Sequence, residues 1–146
     1  MGESSSGENP VRVLVIEDNE ADRELLQRQL RKSGMDQQVL FISDGHEALD
    51  FLTGPQAPTV AESLIAILLD LHLPGVSGLD LLRKVREHDG LRATPVIVMT
   101  SSTDPRDLEE CRKLKVLNYV SKPVTFTAFS KAVASVFHLP ESDPVT

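Results

Sequence analysis

Short apolar runs alternate along this chain with segments whose apolar residues recur every three or four positions. The runs are Arg12–Glu17, Gln38–Ile42, Ile65–Leu71, Pro95–Thr100 and Leu117–Ser121. Runs this short and rich in Val, Ile and Leu read as strands, and the unbroken ones as strands buried on both faces. The intervening segments read as helices. Glu20–Lys32 carries Leu25, Leu26 and Leu30 on one face, with Asn19 as N-cap and Gly34 as stop. Ser43-Asp44-Gly45 turns the chain into a short helix over His46–Leu52. A third helix spans about Gly78–His88, with Leu79, Leu82, Val85 and Arg86 at helical spacing. Asp104 and Pro105 supply a cap and an N1 proline for a helix over Arg106–Leu114. Thr125 caps the last helix, whose apolar face is Phe126, Phe129, Val133, Val136 and Phe137. Gly54, Pro55 and Pro58 mark Thr53–Pro58 as a loop. Thr59–Leu64 fits a short helical turn as well as an extension of that loop.

Five strands and five helices in strict alternation predict an α/β fold, a doubly wound parallel sheet covered by helices on both sides. Ligands in such sheets bind outside the carboxyl ends of the strands, where strand order reverses. Met1–Pro10 and Pro140–Thr146 are rich in Ser, Glu, Gly and Pro with little to bury, so both read as disordered tails around one domain over residues 11–139.

Composition narrows the function. Among 146 residues, 22 acidic side chains face 15 basic ones, a formal net charge of −7. That balance argues against direct nucleic-acid binding, which needs a basic face. No apolar stretch reaches the roughly 18–20 residues that span a bilayer, and the N-terminus lacks a charged-then-apolar signal pattern, so a cytoplasmic location away from membranes is expected. The single cysteine, Cys111, excludes an internal disulfide and a multi-cysteine zinc site; it reads as a packing residue.

The chemistry gathers at strand ends. In chain order these supply Glu17-Asp18, Asp70, Thr100-Ser101 and Lys122-Pro123. An acidic pair can simply favour the start of a helix, but Asn19 already caps that helix. A carboxylate such as Asp70 at the end of a buried apolar run needs a partner. Clustered carboxylates repel, and Mg²⁺ with its oxygen ligands resolves the conflict while neutralising an incoming phosphoryl group. Lys122 and the Thr100 hydroxyl could then meet phosphoryl oxygens. Taken alone, Thr100 is an ordinary strand residue and Lys122 an ordinary solvated lysine; their common placement raises them. The bond before Pro123 is a cis candidate that would aim Lys122 into the pocket. The set suits formation of an acyl phosphate on Asp70 by positioning and charge stabilisation.

Over about Val11 to Leu139 the sequence resembles the receiver domain of two-component response regulators. The resemblance rests on Glu17-Asp18, the Asp70 to Gly78 segment with Pro74, Thr100 after Val96-Ile-Val-Met, Tyr119, and Lys122-Pro123. Glu17 to Asp22, the insertion near Thr53–Leu64 and Thr100-Ser101-Ser102 further look like stand-alone regulators paired with phytochrome-type or other hybrid sensor kinases. The resemblance implies a flavodoxin-like (βα)5 fold with strand order 2-1-3-4-5. It implies Asp70 as acceptor of phosphate from a histidine kinase, with Mg²⁺ on Asp18, Asp70 and the His72 backbone carbonyl and Glu17 acting mostly through water. Thr100 and Lys122 would contact the phosphoryl group, and Tyr119 would be an aromatic switch turning inward as Thr100 moves. His72 and Ser102 occupy positions that tune phosphoryl lifetime in the family. The output would be a changed affinity of the face formed by helix four, strand five and helix five, for a protein target the sequence does not name or for a second copy of the chain. Self-phosphorylation and hydrolysis of the phosphoaspartate would be the only chemistry, so no enzyme with external turnover is expected. Two other readings stay open: a pseudo-receiver that binds without phosphate, and a haloacid-dehalogenase-like phosphatase, which would want an Asp where His72 stands.

Overall fold

The computed structural model describes residues 11–55, 63–73, 75–100 and 104–137. The two tails, Pro74 and residues 101–103 lie outside these residues, as do residues 56–62, which hold the end of the expected Thr53–Pro58 loop and most of Thr59–Leu64. Five strands form one parallel sheet: β1 (Val13–Ile16), β2 (Val39–Ile42), β3 (Ala66–Asp70), β4 (Val96–Thr100) and β5 (Asn118–Ser121). Their order is β2-β1-β3-β4-β5. The helices are α1 (Glu20–Lys32), α2 (Gly45–Thr53), α3 (Gly78–Glu87), α4 (Pro105–Lys113) and α5 (Phe126–Phe137), and a short 3₁₀ turn, Asp36–Gln38, precedes β2.

Each strand is one or two residues shorter than its apolar run, although run-end residues still bond to neighbouring strands: Arg12 N–H donates to Gln38 O, Ile65 N–H to Arg12 O, and Leu117 N–H to Val96 O. The caps follow the chemistry of their residues. The Asn19 side chain accepts from the Asp22 amide, and Asp44 from the amides of His46 and Glu47. Ser77 caps α3 and Asp104 caps α4, while the Thr125 hydroxyl accepts from Ala128 N–H. Asp44 thus starts α2 at Gly45, one residue ahead of the sequence expectation.

Side-chain alternation divides the core in two. Leu14, Ile16, Ile67, Leu69, Val96 and Val98 pack toward α2, α3 and α4 with Leu52, Leu81, Leu82 and Cys111. Val13, Val15, Leu68, Ile97 and Met99 pack toward α1 and α5 with Leu26, Leu30 and Phe129. Leu81, which the helical-spacing pattern passes over, is fully buried on α3. The register then sets the site: Ile16 pairs Leu69 and Ile42, Asp70 pairs Met99, and Thr100 pairs Ser121. Glu17, Asp70, Thr100 and Lys122 all emerge at the carboxyl edge. Strand order reverses between β1 and β3, so that edge opens a crevice there.

Candidate functional site

Asp70, the last residue of β3, is 2% exposed. Its Oδ1 accepts the His72 amide N–H at 2.9 Å, and its Oδ2 accepts from Lys122 Nζ at 2.8 Å. Glu17 directly follows β1 and is 3% exposed. Its Oε2 accepts the Asn19 amide at 2.9 Å and Lys122 Nζ at 3.1 Å. The ammonium of Lys122 therefore bridges carboxylates from two different strands. Asp18 is exposed beside them, and Glu17, Asp18 and Asp70 each offer an oxygen within 4.8 Å of the others.

Electrostatics follow from this packing. Burial raises the Glu17 pKa and the Asp70 charge adds to it, against the opposing pull of the Asn19 amide and Lys122. Burial works against the Lys122 ammonium, yet its hydrogen bonds to Asp70 and Glu17 and their charges outweigh that and raise its pKa. Three carboxylates cluster around one ammonium that pairs with two of them, Glu17 and Asp70, which leaves surplus negative charge at an open edge. Such a donor set fits a hard divalent cation that keeps some of its waters.

The remaining expected residues fall around this centre. Thr100 ends β4, buried, one residue beyond the position opposite Asp70. Lys122 N–H donates to Thr100 O at 3.3 Å, and the Lys122–Pro123 peptide bond is cis. The His72 side chain is exposed. Tyr119 stands apart from the pocket: it is 40% exposed, with its hydroxyl 3.5 Å from Leu108 O on α4. Burial against α4 raises its pKa.

Three glycines escaped the sequence reading as site residues. Gly78 N–H donates to Leu71 O, and a Cβ on Gly78 would lie 2.4 Å from the Asp70 carbonyl oxygen. Only a residue without a side chain lets α3 begin directly on the acceptor's backbone. Gly75, at φ +83°, lies under the His46 ring, and Gly45 abuts Val76. The Asp44-Gly45 pair signalled a turn, but nothing local signalled what the turn would touch.

The receiver-domain family model matches residues 13–134, from the first strand into the last helix. The chain belongs to the response regulator receiver domain family. Receiver domains are signalling units of two-component systems, and a phosphorylation-dependent signalling role follows for this one. Over 140 residues this receiver domain is 32% identical to the probable methanogenesis regulatory protein FilR2 of Methanothrix harundinacea, covering 92% of this chain and 86% of that protein. It is 31% identical over 133 residues to response regulator Rcp1 of Synechocystis, covering 90% of each. The structure of the bacteriophytochrome response regulator AtBRR is similar at TM-score 0.71 and 38% identity, over 88% of this chain and 94% of that one. The Mn²⁺-bound form of Rcp1 superposes at TM-score 0.68 and 29% identity, over 94% and 99%. By contrast, the chain spans only 15% of the sensory/regulatory protein RpfC of Xanthomonas campestris, to which it is 34% identical over 116 residues. The clustered acids and the metal-bound relative support divalent cation binding. No helix among the described residues is long and apolar enough to cross a membrane.

Proposed function

We propose that Asp70 accepts a phosphoryl group from the phosphohistidine of a sensor or hybrid histidine kinase, and that the resulting charge resets the α4–β5–α5 face. The observation that carries this is the Lys122 bridge: one ammonium held between Asp70 and Glu17 at a sheet edge rich in carboxylate. Glu17, Asp18, Asp70 and the His72 backbone carbonyl would hold Mg²⁺, which supplies charge neutralisation for the incoming phosphoryl oxygens.

Asp70 Oδ attacks phosphorus in line; an O–P bond forms as the P–N bond to the kinase imidazole breaks. The imidazole leaves with that electron pair and takes up a proton. Lys122, already on Oδ2, exchanges part of its pairing for a phosphoryl oxygen, and the Thr100 hydroxyl donates to another. The new group adds roughly −1.5 to −2 charge and three acceptor oxygens. Drawing Thr100 toward it vacates space beside β5, and Tyr119 turns in from its exposed position over Leu108. Such a local change biases an element with two packings, here α4–β5–α5, and hence its affinity for a protein target or a second copy. The likeness to AtBRR and Rcp1 makes a phytochrome-type kinase the first phosphodonor to try.

Incubation with acetyl phosphate and Mg²⁺ followed by intact-mass measurement tests the reading. One phosphoryl mass is expected on the wild type, none on Asp70→Asn and none with chelator present. No adduct on the wild type, where a known receiver gains one in the same buffer, overturns it.

A further inference from the structure

The loop between β3 and α3 carries the His72 amide that holds Asp70 Oδ1, and the first turn of α2 is seated against that loop. Asp44 fixes this turn through hydrogen bonds from the amides of His46, at 2.6 Å, and Glu47, at 3.1 Å. Ala48 and Leu52, fully buried, anchor the rest of α2 in the core. A Cβ on Gly45 would stand 2.9 Å from Val76 O and 3.0 Å from Val76 Cβ. The first is closer than a side-chain carbon tolerates and the second would force Val76 to give by a few tenths of an ångström, so here backbone packs directly on the loop. Next to it the His46 ring covers Gly75, where an added Cβ would lie 3.1 Å from Cδ2. At its far end the loop is closed by Gly78, whose N–H donates to Leu71 O and whose added Cβ would lie 2.4 Å from the Asp70 carbonyl oxygen.

We infer that Gly45 is a positioning residue for the phosphoacceptor: its bare backbone lets α2 seat the β3–α3 loop so that the His72 peptide stays in register with Asp70. This rests on the reading of Asp70 as acceptor. Gly45 touches neither phosphoryl group nor cation and acts only through Val76. A methyl group at this position pushes the loop by a few tenths of an ångström. Peptide geometry carries that shift toward the one loop carbonyl assigned to the cation. Glycine is otherwise a poor choice for the first turn of a helix, where alanine is the better helix former. A role in α2 alone therefore predicts that Gly45→Ala is neutral or stabilising.

The test measures Mg²⁺ affinity of the unphosphorylated chain by calorimetry, the initial rate of phosphorylation by acetyl phosphate, and the melting midpoint. It compares wild type, Gly45→Ala and Val76→Gly, the last loosening the same contact from the loop side. Expected for both variants is a midpoint within about 4 °C of wild type. Mg²⁺ affinity should weaken about tenfold and phosphorylation slow about tenfold. Should Gly45→Ala fail to fold, Val76→Gly decides. Wild-type Mg²⁺ affinity and rate in the folded variants overturn the inference, as does a loss that merely tracks the fall in midpoint. A wild type that binds Mg²⁺ but takes no phosphoryl group overturns the acceptor reading instead, while the calorimetry still decides the role of Gly45.

Discussion

Lys122 Nζ lies 2.8 Å from Asp70 Oδ2, although 52 residues separate them in the chain. The same nitrogen reaches Glu17 Oε2 across 105 residues. Neither carboxylate is solvated well enough to stand alone, and Lys122 is itself only 18% exposed, so the bridge balances the resting pocket. Removing one partner of a buried pair leaves the other charge uncompensated. Lys122→Met is expected to lose about 2–4 kcal/mol in chelator, read from urea unfolding. Millimolar Mg²⁺ should restore part of it, since a cation can take over the neutralisation. Equal losses with and without Mg²⁺ would show that the lysine acts by packing.

Glu17 gives the pocket a pH signature. Burial and the nearby Asp70 raise its pKa above the ordinary 4.5, so folding favours its protonated form. The sign follows: metal-free stability from this group is complete below the ordinary value and is lost as pH rises through the raised one. Glu17→Gln keeps the shape without the charge. In chelator it should flatten the stability slope as pH rises above the ordinary 4.5 and be at least as stable as wild type at the upper end. If Glu17 serves the cation as proposed, Mg²⁺ should invert the ranking, because its ligands must be ionised and binding only the folded state adds stability. Urea midpoints across that pH range, with and without Mg²⁺, check both signs.

Tyr119 is expected to matter to the output and little to the fold. With 40% of it exposed and one long contact to Leu108 O, its truncation to alanine should cost below about 1 kcal/mol. Amide hydrogen exchange over α4, β5 and α5 should change on phosphorylation of wild type and far less in Tyr119→Ala. Phosphoryl uptake at Asp70 should persist in the variant. An unchanged exchange response would remove Tyr119 from the switch.

Arg86 ties together parts of the chain that the pocket does not touch. Its guanidinium donates to the carbonyls of Leu114 at 2.8 Å, Thr94 at 2.7 Å, Arg92 at 3.1 Å and Lys115 at 3.2 Å. It thereby clamps the end of α3 to the segments entering β4 and β5. Arg86→Ala should cost about 2–3 kcal/mol in urea unfolding, from four carbonyls losing a charged donor. Arg86→Lys should recover less than half of that, because an ammonium cannot fan out to four acceptors.

Hydrophobic spacing and cap chemistry located the five strands and five α-helices described, and placed α1 at its observed bounds, but not the 3₁₀ turn Asp36–Gln38, whose last residue the sequence pattern assigns to β2. Both signals act within a turn or two, where backbone geometry dictates which residues share a face. Sequence also singled out the carboxylates, hydroxyl and lysine at the carboxyl ends of strands. Arg86 shows where local reading stops: its spacing marked one face of α3, but its four acceptors lie in segments brought near only by the packed sheet. Glu17 and Asp18 were one acidic pair in the chain, and only tertiary packing buried the first and exposed the second. Likewise the contact of Gly45 with Val76 joins a helix and a loop that no periodicity links. Periodicity is set by bonds between near neighbours; register, burial and charge pairing are set by which surfaces exclude water together, and those emerge only when the whole sheet is assembled.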